Sequence, residues 1–141
     1  MNENTHAKGA CLCGATGLES QTVNLNFGAC HCSMCRKWAG GPLLSVDCNQ
    51  DIQFTGVEHI STFSSSDWAE RGFCSSCGTH LFHKMKKNNQ YFIPIGLFDI
   101  DDRVKFEHQI FIDEKPAYYS FANDTKNMTG AEVFAAFSAG E

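Results

Sequence analysis

Seven of the eight cysteines in this 141-residue chain fall into three tight clusters: Cys11-Leu-Cys13-Gly14, Cys30-His31-Cys32-Ser33-Met34-Cys35 and Cys74-Ser-Ser-Cys77-Gly78. Thiolates grouped this closely suit a soft metal ion. Four close a tetrahedral zinc site, whereas three leave one position for water or a substrate. Cys74-x-x-Cys77-Gly78 has the spacing of a zinc knuckle, in which a tight turn aims two sulfurs at one ion and the glycine relieves the backbone. Cys11-x-Cys13-Gly14 ends in the same glycine and is its expected partner. A site closed by these four would clip the start of the chain to its middle and contribute on the order of 10 kcal/mol of binding free energy to folding.

The middle cluster differs. Cys30, Cys32 and Cys35 form a CxCxxC run that can wrap one ion from a strand end and the adjoining helical turn. Cys48 is the one cysteine left over; it reads most simply as a buried thiol. If it is not recruited, the fourth position stays open. Three thiolates around Zn²⁺ carry a net charge of about −1, so this site should activate water less well than a neutral histidine shell. It suits a soft ligand better, and an incoming thiol would lose its proton there. Sulfur chemistry is favoured over hydrolysis.

Few other residues have a claim on this chemistry, and no catalytic residue beyond the metal site emerges. Arg36 and Lys37 follow the last cysteine of the open cluster, where they could meet substrate carboxylates or form a solvated helix face. Arg71 precedes Cys74 and could pair with substrate or with its neighbour Glu70. Trp38 could wall the open position, although core packing is the simpler role. His31 stands between two cysteines and reads as structural, while His59, His80, His83 and His108 belong to no ligand motif.

Composition narrows the function classes. A net charge of −5 gives no footprint for phosphate backbones, so nucleic acid is not an expected partner. No apolar run is long enough for a membrane span, and the start, Met1-Asn-Glu-Asn-Thr-His-Ala-Lys8, lacks the apolar core of a secretion signal. The expected compartment is the cytoplasm, whose reducing potential opposes a disulfide framework. Cysteines two apart are also poor disulfide partners, yet both can turn toward one ion.

The elements that position the clusters are short. Strand-like runs recur between turn signals at Asn24 to Cys30, Pro42 to Cys48, Ile52 to Phe54, His59 to Ser64, His80 to Met85, Tyr91 to Leu97 and Gln109 to Ile112. Lys86 to Gln90 has the composition of a hairpin turn, and Pro94 marks an edge or a bulge. One or two helical turns are expected through Met34 to Trp38, ended by Gly40-Gly41. Thr129-Gly-Ala-Glu132 has the form of a capping box before Val133 to Phe137, predicting a C-terminal helix on the outside of the sheets. The fold class is mostly β.

Four motifs together resemble a known family: Gly9-x-Cys11-x-Cys13-Gly14, Cys30-His31-Cys32-x-x-Cys35-Arg36-Lys37, Arg71-x-Phe73-Cys74-x-x-Cys77-Gly78-Thr79 and Gly96-x-x-Asp99. With His108-Gln-Ile-Phe-Ile112 and Lys115-Pro116, the chain resembles the glutathione-dependent formaldehyde-activating enzymes, whose domain is shared with centromere protein V. The resemblance implies a β-tent type fold of short antiparallel strands around zinc-binding turns. It also implies a carbon–sulfur lyase activity that combines glutathione and formaldehyde to S-hydroxymethylglutathione. Carried over by motif, Cys11, Cys13, Cys74 and Cys77 are the ligands of a structural zinc, and Cys30, Cys32 and Cys35 those of a catalytic one, the second ion being the more labile.

The expected organisation is a flexible tail over 1–8, the zinc domain over 9–120, and a C-terminal extension over 121–141 whose helix packs on the same domain. The expected function is a zinc-dependent lyase acting on thiol–aldehyde adducts, with a small thiol and an aldehyde as partners. The alternative is a zinc-stabilised protein-binding module without catalysis, which predicts a second site closed by Cys48 or a histidine.

Overall fold

The computed structural model describes residues 3–100 and 102–139, the last two by backbone alone. Two sheets carry the chain. The smaller has three antiparallel strands in the order β1-β2-β5, from β1 (Asn4–Ala10), β2 (Gly17–Asn24) and β5 (Gln53–Thr55). The larger contains β3 (Asn26–Cys30), β4 (Leu43–Asp47), β6 (Ile60–Ser64), β7 (Ala69–Cys74), β8 (His80–Met85), β9 (Tyr91–Pro94), β10 (Lys105–Ile110) and β11 (Lys126–Met128). Its order is β11-β10-β3-β4-β9-β8-β7-β6. Its pairs are antiparallel except those of β10, which runs parallel to both β3 and β11. Two helices complete the fold, α1 (Ser33–Ala39) and α2 (Gly130–Ala139).

The main core lies between the sheets, where Ala7, Leu18 and Val23 of the small sheet meet Val46, Leu81, Phe82 and Ile93 of the large one. A second, smaller cluster of Cys32, Cys35 and Leu43, with Met34 and Phe111 against it, lies elsewhere. Strand alternation explains the separation. Successive side chains point to opposite faces, and in β4 Leu43 joins the second cluster while Val46, three residues on, joins the first. The large sheet is therefore buried on both faces around its middle strands.

Several sequence expectations change. Residues 4–8, expected as a flexible tail, form most of β1, which lies beside β2 in register from Asn4↔Asn24 to Ala10↔Gly17. Pro94 marks neither an edge nor a bulge: β9 lies inside the sheet between β4 and β8, and Pro94 is its last residue. Pro94 pairs only with Ser45 of β4, beyond the reach of β8, so no ladder bond requires its missing N–H. The strand expected over Tyr91 to Leu97 stops there, since Ile95–Leu97 turns into a 3₁₀ helix. The strand expected at Gln109 to Ile112 starts earlier, at Lys105, and ends at Ile110, because Phe111 adopts a left-handed conformation (φ 54°) that opens a 3₁₀ turn.

Both helices follow their capping signals. Gly40 ends α1 in the left-handed region and donates its N–H to Arg36 O. Thr129 Oγ1 accepts from Glu132 N at 3.2 Å, and Glu132 Oε1 accepts from Thr129 N at 2.8 Å, the reciprocal capping box. Phe134 of α2 packs edge-on against Phe111 and Trp68, which sets the helix on the rim of the large sheet. Among the described residues no helix is long and apolar enough to cross a membrane.

Candidate metal centres

Two turns build the first centre. Cys11 and Cys13 occupy the turn from β1 to β2, and Cys74 and Cys77 the turn from β7 to β8. Gly14 and Gly78 both sit at φ 80°, a region L side chains rarely adopt, and each closes its turn by donating to Cys11 O or Cys74 O. Thr79 ties the turns together. Its Oγ1 accepts from Leu12 N at 3.1 Å and lies 3.1 Å from Cys77 Sγ, while its carbonyl accepts from Cys74 N. The result gathers four sulfurs within 4.8 Å of one another.

Those separations fit one ion. Sulfurs about 2.3 Å from a tetrahedral centre lie about 3.8 Å apart, and Cys11–Cys13 and Cys13–Cys74 are 3.6 and 3.8 Å apart. The backbone also favours thiolate. Burial raises the Cys11 thiol, but hydrogen bonds from Thr16, whose N–H lies 3.3 Å from Sγ, bring it down to about 7. Contacts with Thr79 bring Cys77 down to about 5. Cys13 lies at about 11: the Ala15 N–H lowers it, but proximity to Cys77 and burial outweigh that. A cation would displace the protons this cluster still shares.

The second centre forms where β3 runs into α1. Cys30 is the last residue of β3, Cys32 is the N-cap of α1 and Cys35 lies in its first turn. Their three sulfurs also lie within 4.8 Å of one another. Cys32 Sγ caps the helix, accepting from Cys35 N at 3.3 Å. Contacts from Cys30, then Cys35, hold the Cys32 thiol down to about 2, and the same contacts push Cys30 up. The donor set is sulfur alone, as a soft cation prefers.

His31, between Cys30 and Cys32, is turned away from the sulfurs and fully buried. Its Nε2 lies 2.8 Å from Gln109 Oε1 and its Nδ1 2.8 Å from Tyr119 Oη. An amide oxygen can only accept, so Nε2 carries the proton and Nδ1 accepts from the tyrosine. Gln109 Nε2 in turn donates to Thr125, and Arg36 Nε donates to the His31 carbonyl at 2.8 Å. With both ring nitrogens engaged, His31 is a clamp on the loop that presents Cys30 and Cys32.

Cys48 is not part of either centre. It is fully buried in the main core with Val46, just past the end of β4, while Cys35 belongs to the other cluster. Burial pushes its thiol up to about 12. Among the described residues, no histidine, aspartate or glutamate joins the three sulfurs.

The remaining candidates divide. Lys37 is exposed and Arg36 is committed to the loop carbonyl. Trp38 is half-buried, stacked on His80 with ring centroids 3.9 Å apart, and the Arg71 guanidinium carbon lies 5.0 Å above its ring. Arg71 does not pair with Glu70. Neighbours on a strand face opposite ways, and Glu70 meets Lys84 at 3.7 Å instead. Arg71 Nη2 lies 3.5 Å from Cys35 Sγ, and His83 is its direct partner across the β7–β8 pair. Sequence reasoning missed His83, Tyr119 and Gln109, since only strand register and a long loop bring them to the cluster.

A mostly β frame bearing two metal-capable cysteine clusters, one of four sulfurs and one of three, defines the class. Residues 6–114 match the family model described as glutathione-dependent formaldehyde-activating enzyme. An uncharacterized lyase of Schizosaccharomyces pombe is 37% identical over 127 residues, covering 89% of this chain and 93% of that one. A Halomonas elongata protein, provisionally named a glutathione-dependent formaldehyde-activating enzyme, is 32% identical over 84 residues, covering 53% of this chain and 54% of that one. A crystal structure of a Rhodobacter sphaeroides protein shares the fold at a TM-score of 0.58 and 24% identity, covering 68% of this chain and 92% of that one. The chain belongs to the glutathione-dependent formaldehyde-activating enzyme family.

Proposed function

We propose that this protein is a zinc-dependent carbon–sulfur lyase that joins a small thiol, glutathione or a relative, to formaldehyde and catalyses the reverse cleavage. Cys11, Cys13, Cys74 and Cys77 would hold a structural zinc, and Cys30, Cys32 and Cys35 a catalytic one, two ions per chain. The observation that carries this reading is the open side of the second cluster, where three sulfurs converge and no further protein donor joins them among the described residues. A purely structural module would close that position, and Cys48, the nearest sequence candidate, is in the main core.

Zinc held there would keep an incoming thiol deprotonated near neutral pH. The chain's own residues supply the frame. His31, locked between Gln109 and Tyr119, fixes the loop that aims Cys30 and Cys32. The Cys35 N–H supports the charge on Cys32. Trp38, stacked on His80, supports the Arg71 guanidinium whose Nη2 reaches Cys35 Sγ. Lys37 is the exposed cation nearest the helix end and the candidate for a thiol carboxylate. Proximity of the two reactants would account for much of the rate.

Exchange NMR on glutathione and formaldehyde tests the reading. Zinc-loaded protein should accelerate exchange between free thiol and S-hydroxymethyl adduct, and chelated protein should not. Equal rates with and without protein at high concentration would refute it.

A further inference from the structure

Arg71 is 2% exposed, yet its Nε and Nη1 meet no acceptor among the described residues. Nor does any carboxylate among them lie within ion-pair distance. A buried guanidinium normally has such a partner, because an unpaired charge removed from water is strongly disfavoured. Among the described residues its one polar side-chain contact is Cys35 Sγ, at 3.5 Å. Three thiolates with a divalent cation carry a net charge of about −1, which the arginine offsets. The cluster thus accounts for its charge and leaves its hydrogens unused.

His83 adds a second unsatisfied group. Its Nε2 is buried without a hydrogen-bond partner among the described residues, and as the cross-strand neighbour of Arg71 it stands on the same face of the sheet. With Trp38 under the guanidinium and His83 across the strand pair, Arg71 reaches the cluster at Cys35.

Building on the lyase reading, we propose that Arg71 is the catalytic residue that receives the aldehyde oxygen, with His83 Nε2 beside it, in a buried oxyanion subsite next to the cluster. The thiolate sulfur attacks the carbonyl carbon, and a carbon–sulfur bond forms as the C=O π pair moves onto oxygen. The alkoxide is stabilised by the free N–H groups of Arg71 and takes a proton from water as the product leaves the subsite. The thiol's own proton left for solvent when it entered, so the sum is thiol plus aldehyde giving the hydroxymethyl thioether. Preorganised donors in a site that excludes water act most strongly on charge that develops during the reaction.

The test uses the zinc-loaded full chain with Arg71→Lys, which keeps the charge and loses the planar fork, and Arg71→Met, which loses both. Exchange is measured with glutathione and with mercaptoethanol, which has no carboxylate, and zinc per chain is counted with a chromogenic chelator. Both variants should lose about a hundred- to a thousand-fold in kcat. The loss should be equal for the two thiols, with little change in KM, and Arg71→Lys should keep its zinc. A loss confined to glutathione or to KM would assign Arg71 to a thiol carboxylate and overturn the proposal. Unchanged exchange, or loss of a zinc from Arg71→Lys, would overturn it too.

A second readout does not depend on turnover. Formate, an unreactive one-carbon oxyanion, should shift the Trp38 indole N–H resonance of the native protein and leave that of Arg71→Met unmoved. An indole indifferent to formate in the native protein removes the subsite. Native protein that binds formate but exchanges neither thiol removes the lyase reading, and the aldehyde assignment with it.

Discussion

Serine at Cys13 should damage this protein about twice as much as serine at Cys30, although each removes one sulfur from one cluster. The difference comes from what each cluster closes. Cys13 and Cys74 are 61 residues apart and join the turn of the small sheet to a turn of the large one. Treated as a cross-link, a loop of that length removes chain entropy worth about 4 kcal/mol, whereas the short span from Cys30 to Cys35 is worth about 2 kcal/mol. Cys13 is exposed, so the serine leaves no cavity to confuse the result. For a domain of this size each kcal/mol moves the melting temperature by roughly 4 °C. Cys13→Ser should therefore melt on the order of 15 °C lower, and Cys30→Ser about half as much. Melting followed by circular dichroism, with zinc counted for each protein, checks both numbers. Equal losses in the two variants, or a small loss in Cys13→Ser despite a missing zinc, would refute the clip between the sheets.

Tyr119→Phe leaves the buried His31 Nδ1 without its donor, so stability should fall by about 1–3 kcal/mol, and zinc in the second site should exchange faster in a chelator competition. Cys48→Ala should retain both zinc ions, and loss of one would place Cys48 among the ligands. Burial, then the nearby Arg71, lowers His83 to about 4. Because its folded value lies below its unfolded value, the native state resists protonation: this contribution is complete above about pH 6.5 and is lost as pH falls toward 4. His83→Gln should therefore show a shallower loss of stability across that window in denaturant titrations at fixed pH.

Both cysteine sets could be read from spacing because metal knuckles are local: Gly14 and Gly78 close turns of a few residues, and Cys32 and Cys35 share one helical turn. Both helices were equally legible, since caps are written in adjacent residues. β1 and β7 were not. Asn-Thr-His-Ala-Lys-Gly-Ala in β1 has few β-branched or aromatic residues, and β2 holds it in place. Ala-Glu-Arg-Gly-Phe-Cys in β7 carries two charges and a glycine, the composition of a loop. Its strand character comes from tertiary structure, because the Phe82 ring lies where a Gly72 side chain would stand.

The same strand explains why the large sheet can serve two centres. Gly72 and Cys74 face the main core and the four-sulfur cluster, while Arg71 faces the other way, to Cys35. Alternation along β7 thus sends a metal-seeking sulfur to one side of the sheet and a buried cation to the other. β4 divides in the same manner, with Leu43 in the cluster of Cys35 and Val46 in the main core. Cys48, in the main core past the end of β4, is thereby kept from the three sulfurs of the other cluster. On the lyase reading proposed above, the separation that denies that cluster a fourth sulfur is what would keep a position for a substrate thiol.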